Sequence, residues 1–117
     1  MACLSLVKLC DLLSHCELEE ADLDREVSSA DFNKISRYLC KWKLLGPELG
    51  LTEAELEAIE ENYSKEEARR VSLLKEWKQK FSWKATYRVL IEALLGIQRA
   101  DDATGVCQLL KGRYILG

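Results

Sequence analysis

The residues best suited to chemistry in this sequence are its single histidine and the three cysteines nearest to it. His15 and Cys16 are the types that form a base and a nucleophile, but adjacent residues on a helix point about 100° apart and do not face each other. Cys3, Cys10, His15 and Cys16 also lack the C-x2–4-C spacing of structural zinc sites. Because Cys3 and Cys10 stand seven positions apart, on one helical face, they are better interpreted as apolar positions.

The remaining polar residues do not form a recognisable reaction centre either. The sequence has no GxxxxGK[ST] or GxGxxG motif that would hold a phosphate group. Its 20 acidic residues stand at positions expected on the solvent side of helices. No two of them are expected to be buried together, as an acid–base pair with different pKa values would be. The sequence therefore predicts a non-enzymatic protein with no catalytic residue, no metal, no cofactor and no small-molecule substrate.

The bulk composition predicts a single domain without a membrane span. The chain has 117 residues, of which 48% are hydrophobic and 32% charged, and this is enough apolar material for one core. No apolar run approaches the roughly 18–20 residues of a membrane span, and the N-terminus lacks the features of a signal peptide. The five irregularly spaced cysteines are typical of a reducing cytosol, so a cytoplasmic location is expected.

The charges are separated along the chain, although the net charge is only −3. Residues 51–67 contain seven acidic residues and one lysine, and residues 68–90 contain seven basic residues and one glutamate. Acidic residues spaced by four form a like-charge column that destabilises an isolated helix, whereas a partner of opposite sign would use it. Solvated faces that pair within the molecule are the alternative. We predict an acidic patch of Glu53, Glu57, Glu60 and Glu61 and a basic patch of Arg69, Lys75, Lys78, Lys84 and Arg88.

Two tryptophans in the basic segment have different expected roles. In the stretch "LLKEWKQKF", Trp77 shares one helical side with the leucines and the phenylalanine, while Lys75 points away and Lys78 lies to one side. Trp77 is therefore predicted to be a core residue. Trp83 precedes the next helix beside Lys84 and is expected either to fold over the edge of the core or to act as an exposed aromatic anchor for a partner.

Apolar residues recur at intervals of three and four along most of the chain, which is the period of amphipathic helices. Six such stripes predict an all-α, antiparallel six-helix bundle. A further amphipathic helix is predicted near the N-terminus, before the acidic stretch "ELEEADLDRE". The predicted core consists of Phe32, Ile35, Leu39, Trp42, Leu45, Leu49, Leu56, Ile59, Leu74, Trp77, Phe81, Leu90, Leu94, Val106 and Leu110.

Local signals mark the ends of these helices. Thr52 and Glu55 form a predicted capping box at one helix start, and Ser64 and Glu67 form a second. Glycines are expected in the left-handed conformation where helices stop. The three predicted stop positions are Gly50, Gly96 and Gly112.

Across residues 30–112 the order of motifs resembles the death domain, a six-helix protein-interaction module of apoptotic and innate-immune signalling. The segments that carry the resemblance are "WKLLGPELGL", "TEAELEAIEENY", "SLLKEWKQKF", "KATYRVLIEALL" and "RADDATGVCQLL". Pro47 and Gly105 depart from the pattern because both lie inside expected helices. The resemblance divides the chain into an N-terminal extension (1–28), a death domain (29–112) and a short tail (113–117).

The resemblance implies an adaptor that assembles signalling complexes through homotypic contacts, with itself or with other death-domain proteins, in helical oligomers. Death effector and caspase-recruitment domains are the sister alternatives. Asp102 stands where a death effector domain has leucine, and Trp42 and Trp77 favour the death domain proper. A nucleic-acid-binding helical domain that uses the basic 69–88 segment is a further alternative. The negative net charge and the nearby acidic column argue against it, so neither nucleic acid nor membrane is expected as a partner.

Overall fold

The computed structural model describes residues 20–115, and within this range the chain forms helices and no strand. The elements are α1 (Glu20–Leu23), α2 (Phe32–Ser36), α3 (Trp42–Glu48), α4 (Glu53–Asn62), α5 (Glu66–Phe81), α6 (Tyr87–Gly96) and α7 (Ala100–Ile115), with 3-10 turns at Ser29–Asp31 and Ser82–Lys84. The predicted all-α bundle is confirmed, and α2 to α7 are its six helices. The amphipathic helix predicted near the N-terminus and the candidate zinc ligands Cys3, Cys10, His15 and Cys16 lie outside the described residues.

The beginning of α4 and the end of α3 follow the local signals in the sequence. Thr52 Oγ1 accepts a hydrogen bond from the Glu55 N–H at 3.2 Å, and the Glu55 carboxylate accepts one from the Thr52 N–H at 2.8 Å. This confirms the first capping box. Gly50 follows α3 with φ +92°. The N–H groups of Gly50 and Leu51 donate back into α3, so the two orphan carbonyls there are satisfied.

Three of the predicted helix-end signals differ from the structure, although α6 does end at Gly96. The second capping box does not form, because α5 begins at Glu66 after an N-cap of Lys65 that makes no side-chain cap. Gly96 is the last residue of α6, and Gln98 takes the left-handed conformation instead, at φ 62°. The Arg99 N–H donates to the Leu94 carbonyl there. Gly112 lies within α7 rather than after it.

The helices enclose one apolar core, to which both α5 and α6 contribute buried side chains. Helix α5 packs against α2, α3 and α4, while α6 packs against α1, α3 and α7. Of the fifteen residues predicted to form the core, fourteen are buried, and Phe81 is partly buried. The core also contains residues that the prediction did not include, among them Leu23, Val27, Leu73, Tyr87 and Ile91.

Residues 20–31 are packed onto the bundle. Leu23 and Val27 have no exposed surface. The Val27 N–H donates to the Ala85 carbonyl at 2.9 Å, and the Tyr87 N–H donates to the Arg25 carbonyl at 3.2 Å. We call residues 20–27 the N-terminal segment. The boundary expected at residue 29 therefore lies within a packed part of the chain.

Gly105 has a packing role in α7. A Cβ atom at this position would overlap the ring of Tyr38, so the absence of a side chain allows the ring to lie directly against the helix. Glycine lowers helix propensity by about 1 kcal/mol relative to alanine. The close approach of Tyr38 explains why glycine is nevertheless present inside a helix.

Replacement of Gly105 is expected to destabilise the fold although it improves helix propensity. The new methyl group of Gly105→Ala must displace the Tyr38 ring, and overpacking of this kind typically costs about 1–3 kcal/mol. We expect a net loss of about 1 kcal/mol in the free energy of unfolding, measured by urea denaturation. In a Tyr38→Ala background the same substitution should be neutral or stabilising. Equal losses in both backgrounds would contradict this explanation.

Candidate functional site

The acidic patch lies on α4, beside the face that α4 buries. Leu56 and Ile59 are buried, whereas Glu53, Glu57 and Glu61 are exposed. Within residues 20–115 these three carboxylates have no ion-pair partner. They stand four positions apart, so they repel one another along the helix. This column of three charges is the least compensated acidic feature of the described surface.

Glu60, the fourth residue predicted for the acidic patch, has a different environment. Its carboxylate is ion-paired with the ammonium group of Lys43 on α3. The hydrogen bond from Lys43 lowers the pKa of Glu60. Glu60 therefore ties α3 to α4, and its charge is already matched.

A groove runs between α3 and α4, directly beside the acidic column. Its volume is about 570 Å³. Its apolar lining consists of Pro47, Leu51 and Leu56, and its charged lining consists of Lys43, Glu53, Glu57 and Glu60. Glu61 does not line it. No local pattern in the sequence predicts this groove, because it depends on how closely α3 and α4 approach.

Two residues of the predicted basic patch are bound by the N-terminal segment. The Arg88 guanidinium donates to Asp24 at 2.8 Å, and Lys78 pairs with Glu26 at 3.5 Å. The hydrogen bond from Arg88 lowers the pKa of Asp24. The acidic stretch noted in the sequence therefore supplies the counter-charges for part of the basic patch.

Arg69, a third member of the basic patch, holds the turn between α4 and α5. Its guanidinium donates from Nε to the Tyr63 carbonyl at 2.6 Å and from Nη2 to the Glu60 carbonyl at 3.0 Å. These carbonyls belong to the end of α4, where no further helical N–H is available to them. The side chain of Arg69 thus acts as a cap for α4.

Lys75 and Lys84 are the two residues of the basic patch that remain uncompensated. Both side chains are exposed, on α5 and on the turn after it. Neither has an ion-pair partner in the part of the chain that the structure describes. Three residues of the predicted basic patch therefore have polar partners within the chain, and two have no ion-pair partner among the described residues.

Trp83 projects from the 3-10 turn Ser82–Lys84 rather than covering the edge of the core. It is 71% exposed, the highest fraction of any large hydrophobic residue described. The Lys84 ammonium group lies 5.4 Å from the centre of its ring. Leu44 on α3 is also exposed, and the sequence analysis did not single it out.

The predicted basic patch did not include Lys80. This lysine connects α5 to the start of α4 and to the turn before it. Its ammonium group donates to the Glu55 carboxylate at 2.8 Å and to the Gly50 carbonyl at 3.0 Å. The hydrogen bonds from Lys80 and from the Thr52 backbone lower the pKa of Glu55 to about 2. The capping box and this bridge therefore share one carboxylate.

Residues 20–115 form neither a metal-binding cluster nor a membrane span. No group of three or more histidine, cysteine and acidic side chains in that range could hold a metal ion. None of the helices described there is both long and apolar enough to cross a membrane.

Comparison with known proteins gives one match. The family model of the death domain matches residues 30–106, which covers α2 to α6 and the first half of α7. Searches of curated proteins and of solved structures found no match.

The acid sensitivity of the fold should depend on Glu55. Its pKa is about 2 in the folded protein, against an ordinary value of 4.5. The stabilisation from its ionised form is therefore complete above the higher value and is lost as pH falls towards the lower one. Glu55→Gln should reduce the free energy of unfolding at neutral pH and flatten its decline in acid. Glu57→Gln, on the same helix without a partner, is the control, and identical pH profiles for the two variants would contradict the assignment.

Arg69 and Lys75 should differ in their effect on stability. Arg69→Ala leaves two carbonyls without their charged donor, and we expect it to lower the free energy of unfolding by about 1–2 kcal/mol. Lys75→Ala removes an exposed, unpaired side chain and should change it by less than about 0.5 kcal/mol. Urea denaturation at one protein concentration measures both. Equal stabilities would show that Arg69 does not cap α4.

Proposed function

The chain belongs to the death-domain family of protein-interaction modules, and from this premise we propose that it is an adaptor that assembles signalling complexes of the apoptotic or innate-immune type. The family mediates homotypic contacts between its members and is generally non-enzymatic. The proposed partners are further copies of this chain or other death-domain proteins. We also propose that it works in the cytoplasm, since the cysteine pattern suits a reducing compartment.

The observation that carries the proposal is the uncompensated acidic column of Glu53, Glu57 and Glu61. Three like charges along one helix cost stability in the monomer and are matched by no other described residue. A basic partner surface would remove this cost. Electrostatic complementarity of this kind contributes mainly to association rate and to the register of the complex.

The basic counterpart of this column is proposed to centre on Lys75 and Lys84. These are the members of the basic patch whose charges remain available to a partner. Lys78 and Arg88 are exposed only in part and are matched by the N-terminal segment. The same pairing weakens the case for nucleic-acid binding, because fewer positive charges are left to contact phosphates.

The two charged surfaces lie on different helices, so one copy can offer its acidic column to the basic surface of another. A contact between unlike surfaces either closes into a ring or propagates as a helical array. Single contacts of this type are weak. They become effective when several copies are held together, because the later contacts are then intramolecular.

Charge reversal tests the acidic column. The double substitution Glu57→Lys/Glu61→Lys is expected to weaken self-association, or binding to a death-domain partner, by at least about tenfold. Light scattering over a range of concentrations, at low and high salt, measures the effect. Assembly of the unaltered chain should weaken as salt rises.

A matched control reverses Glu76 and Glu92, which lie on α5 and α6, away from the acidic column. It changes the net charge by the same amount and should leave association unchanged or strengthened. Unaltered association of the Glu57→Lys/Glu61→Lys variant, with its helical content intact, would remove the acidic column from the interface.

A further inference from the structure

The exposed indole of Trp83 is held on a turn that is fixed at both ends. Phe81 before it is partly buried against the core, and Ala85 after it is fully buried. The Ala85 N–H donates to the Ser82 carbonyl at 3.1 Å, and the Thr86 N–H donates to the Lys84 carbonyl at 3.0 Å. Ser82 has φ 55°, which a non-glycine residue rarely adopts. We call Trp83 and Lys84 on this turn the knob.

The knob is preorganised for binding. An aromatic side chain has few rotatable bonds, so little conformational entropy is lost when it is immobilised. Exposed tryptophan flanked by a cation is also typical of residues that dominate interface energies. With 71% of its surface in water, Trp83 leaves apolar area that no residue of the described range covers.

The groove between α3 and α4 has the complementary chemistry. Its volume of about 570 Å³ lies in the range of pockets that accept ligands larger than one indole ring. Pro47, Leu51 and Leu56 provide apolar contact for a ring. Of the charged lining residues, Lys43 and Glu60 pair with each other, whereas Glu53 and Glu57 provide negative charge without a described ion-pair partner. An occupant of the groove should therefore combine a flat apolar group, such as an aromatic ring, with an adjacent cation.

We propose that the knob of one copy docks into the α3–α4 groove of a second copy. The indole of Trp83 would lie on the apolar lining, and the Lys84 ammonium group would reach Glu53 or Glu57. The inference rests on the proposed homotypic function and specifies the residues that make the contact. The occupant is a second copy because this chain itself carries an indole ring and an ammonium group side by side on one turn.

The proposed contact joins two different surfaces of the same chain. After one such contact the first copy keeps an unused groove and the second an unused knob, unless the pair closes about a two-fold axis. Glu61 belongs to the acidic column but lies outside the groove lining. Substitutions at Glu53 and at Glu61 therefore separate this contact from a general attraction between charged surfaces.

The first experiment compares single variants by sedimentation velocity over a concentration series. Trp83→Ala and Glu53→Lys should each weaken self-association by about 10- to 30-fold. Glu61→Lys should have a smaller effect, and Lys34→Ala, which removes an exposed lysine of α2 outside both proposed surfaces, serves as the control. Trp83→Ala should unfold at the same urea concentration as the unaltered chain, because its side chain is exposed.

The second experiment mixes two defective variants. Trp83→Ala retains the groove and Glu53→Lys retains the knob, so an equimolar mixture should form heterodimers that do not grow further. Each variant alone should remain largely monomeric at the same concentration. Tryptophan fluorescence gives an independent signal, since Trp42 and Trp77 are already buried. The emission of Trp83 should move to shorter wavelength on association, and Glu53→Lys alone should not show this shift.

Normal association of Trp83→Ala would overturn the proposed contact between knob and groove. A mixture of Trp83→Ala and Glu53→Lys that stays monomeric would overturn it as well. If Trp83→Ala associates normally while Glu57→Lys/Glu61→Lys does not, the charged-surface function stands and only the knob fails. If the unaltered chain is monomeric at every concentration and salt, contact with a second copy is excluded and a different death-domain protein remains as the partner. If association occurs but is unchanged by all these substitutions and by salt, both the charged-surface function and the knob–groove contact fail.

Discussion

The structure depends on the burial of one side of α5. Trp77, Leu73 and Leu74 have almost no exposed surface, and α2, α3 and α4 all pack against this helix. Because an amphipathic helix that buries one side must present the other to solvent, the burial of Trp77 also sets the direction of Lys75. The orientation of the free positive charge on α5 is therefore a consequence of core packing. A change that rotated α5 would expose apolar surface and move the basic residues together.

The surface charges have two separate roles. Lys80 and Arg88 connect elements that are distant in sequence, through Glu55 and Asp24, and Arg69 connects the consecutive helices α4 and α5 through the carbonyls at the end of α4. These contacts connect short helices that have little stability on their own. Exposed pairs of this kind contribute modestly one by one, and their effect comes from the places they connect. The remaining charges, on the outer side of α4 and on the α5–α6 turn, make no such connection within the described residues, and the proposed function assigns them to association.

The sequence was sufficient for the parts of the fold that rest on periodicity and on local capping. The spacing of apolar residues located the six helices, and the Thr52 and Glu55 pair located the start of α4. It was insufficient where tertiary contacts override local preference. The indole N–H of Trp42 donates to Glu66 at 2.7 Å, across 24 positions, at the residue where α5 begins. No local pattern around Ser64 records that contact. The pairing of Lys78 and Arg88 with the N-terminal segment could not be predicted for the same reason. It depends on the packing of Leu23 and Val27 onto the bundle.

This division bears on how substitutions at charged residues should be interpreted. Loss of binding on mutating Arg69 or Arg88 would not by itself identify an interface, because each side chain holds two parts of the fold together. Substitution of Glu61 or Lys75 is more informative, since their charges have no described partner whose loss would disturb the monomer. The same reasoning applies to Trp83, whose indole contributes little to the core. A death-domain surface is therefore best mapped from the residues that the monomer does not need, and in this chain those residues surround the α3–α4 groove and the α5–α6 turn.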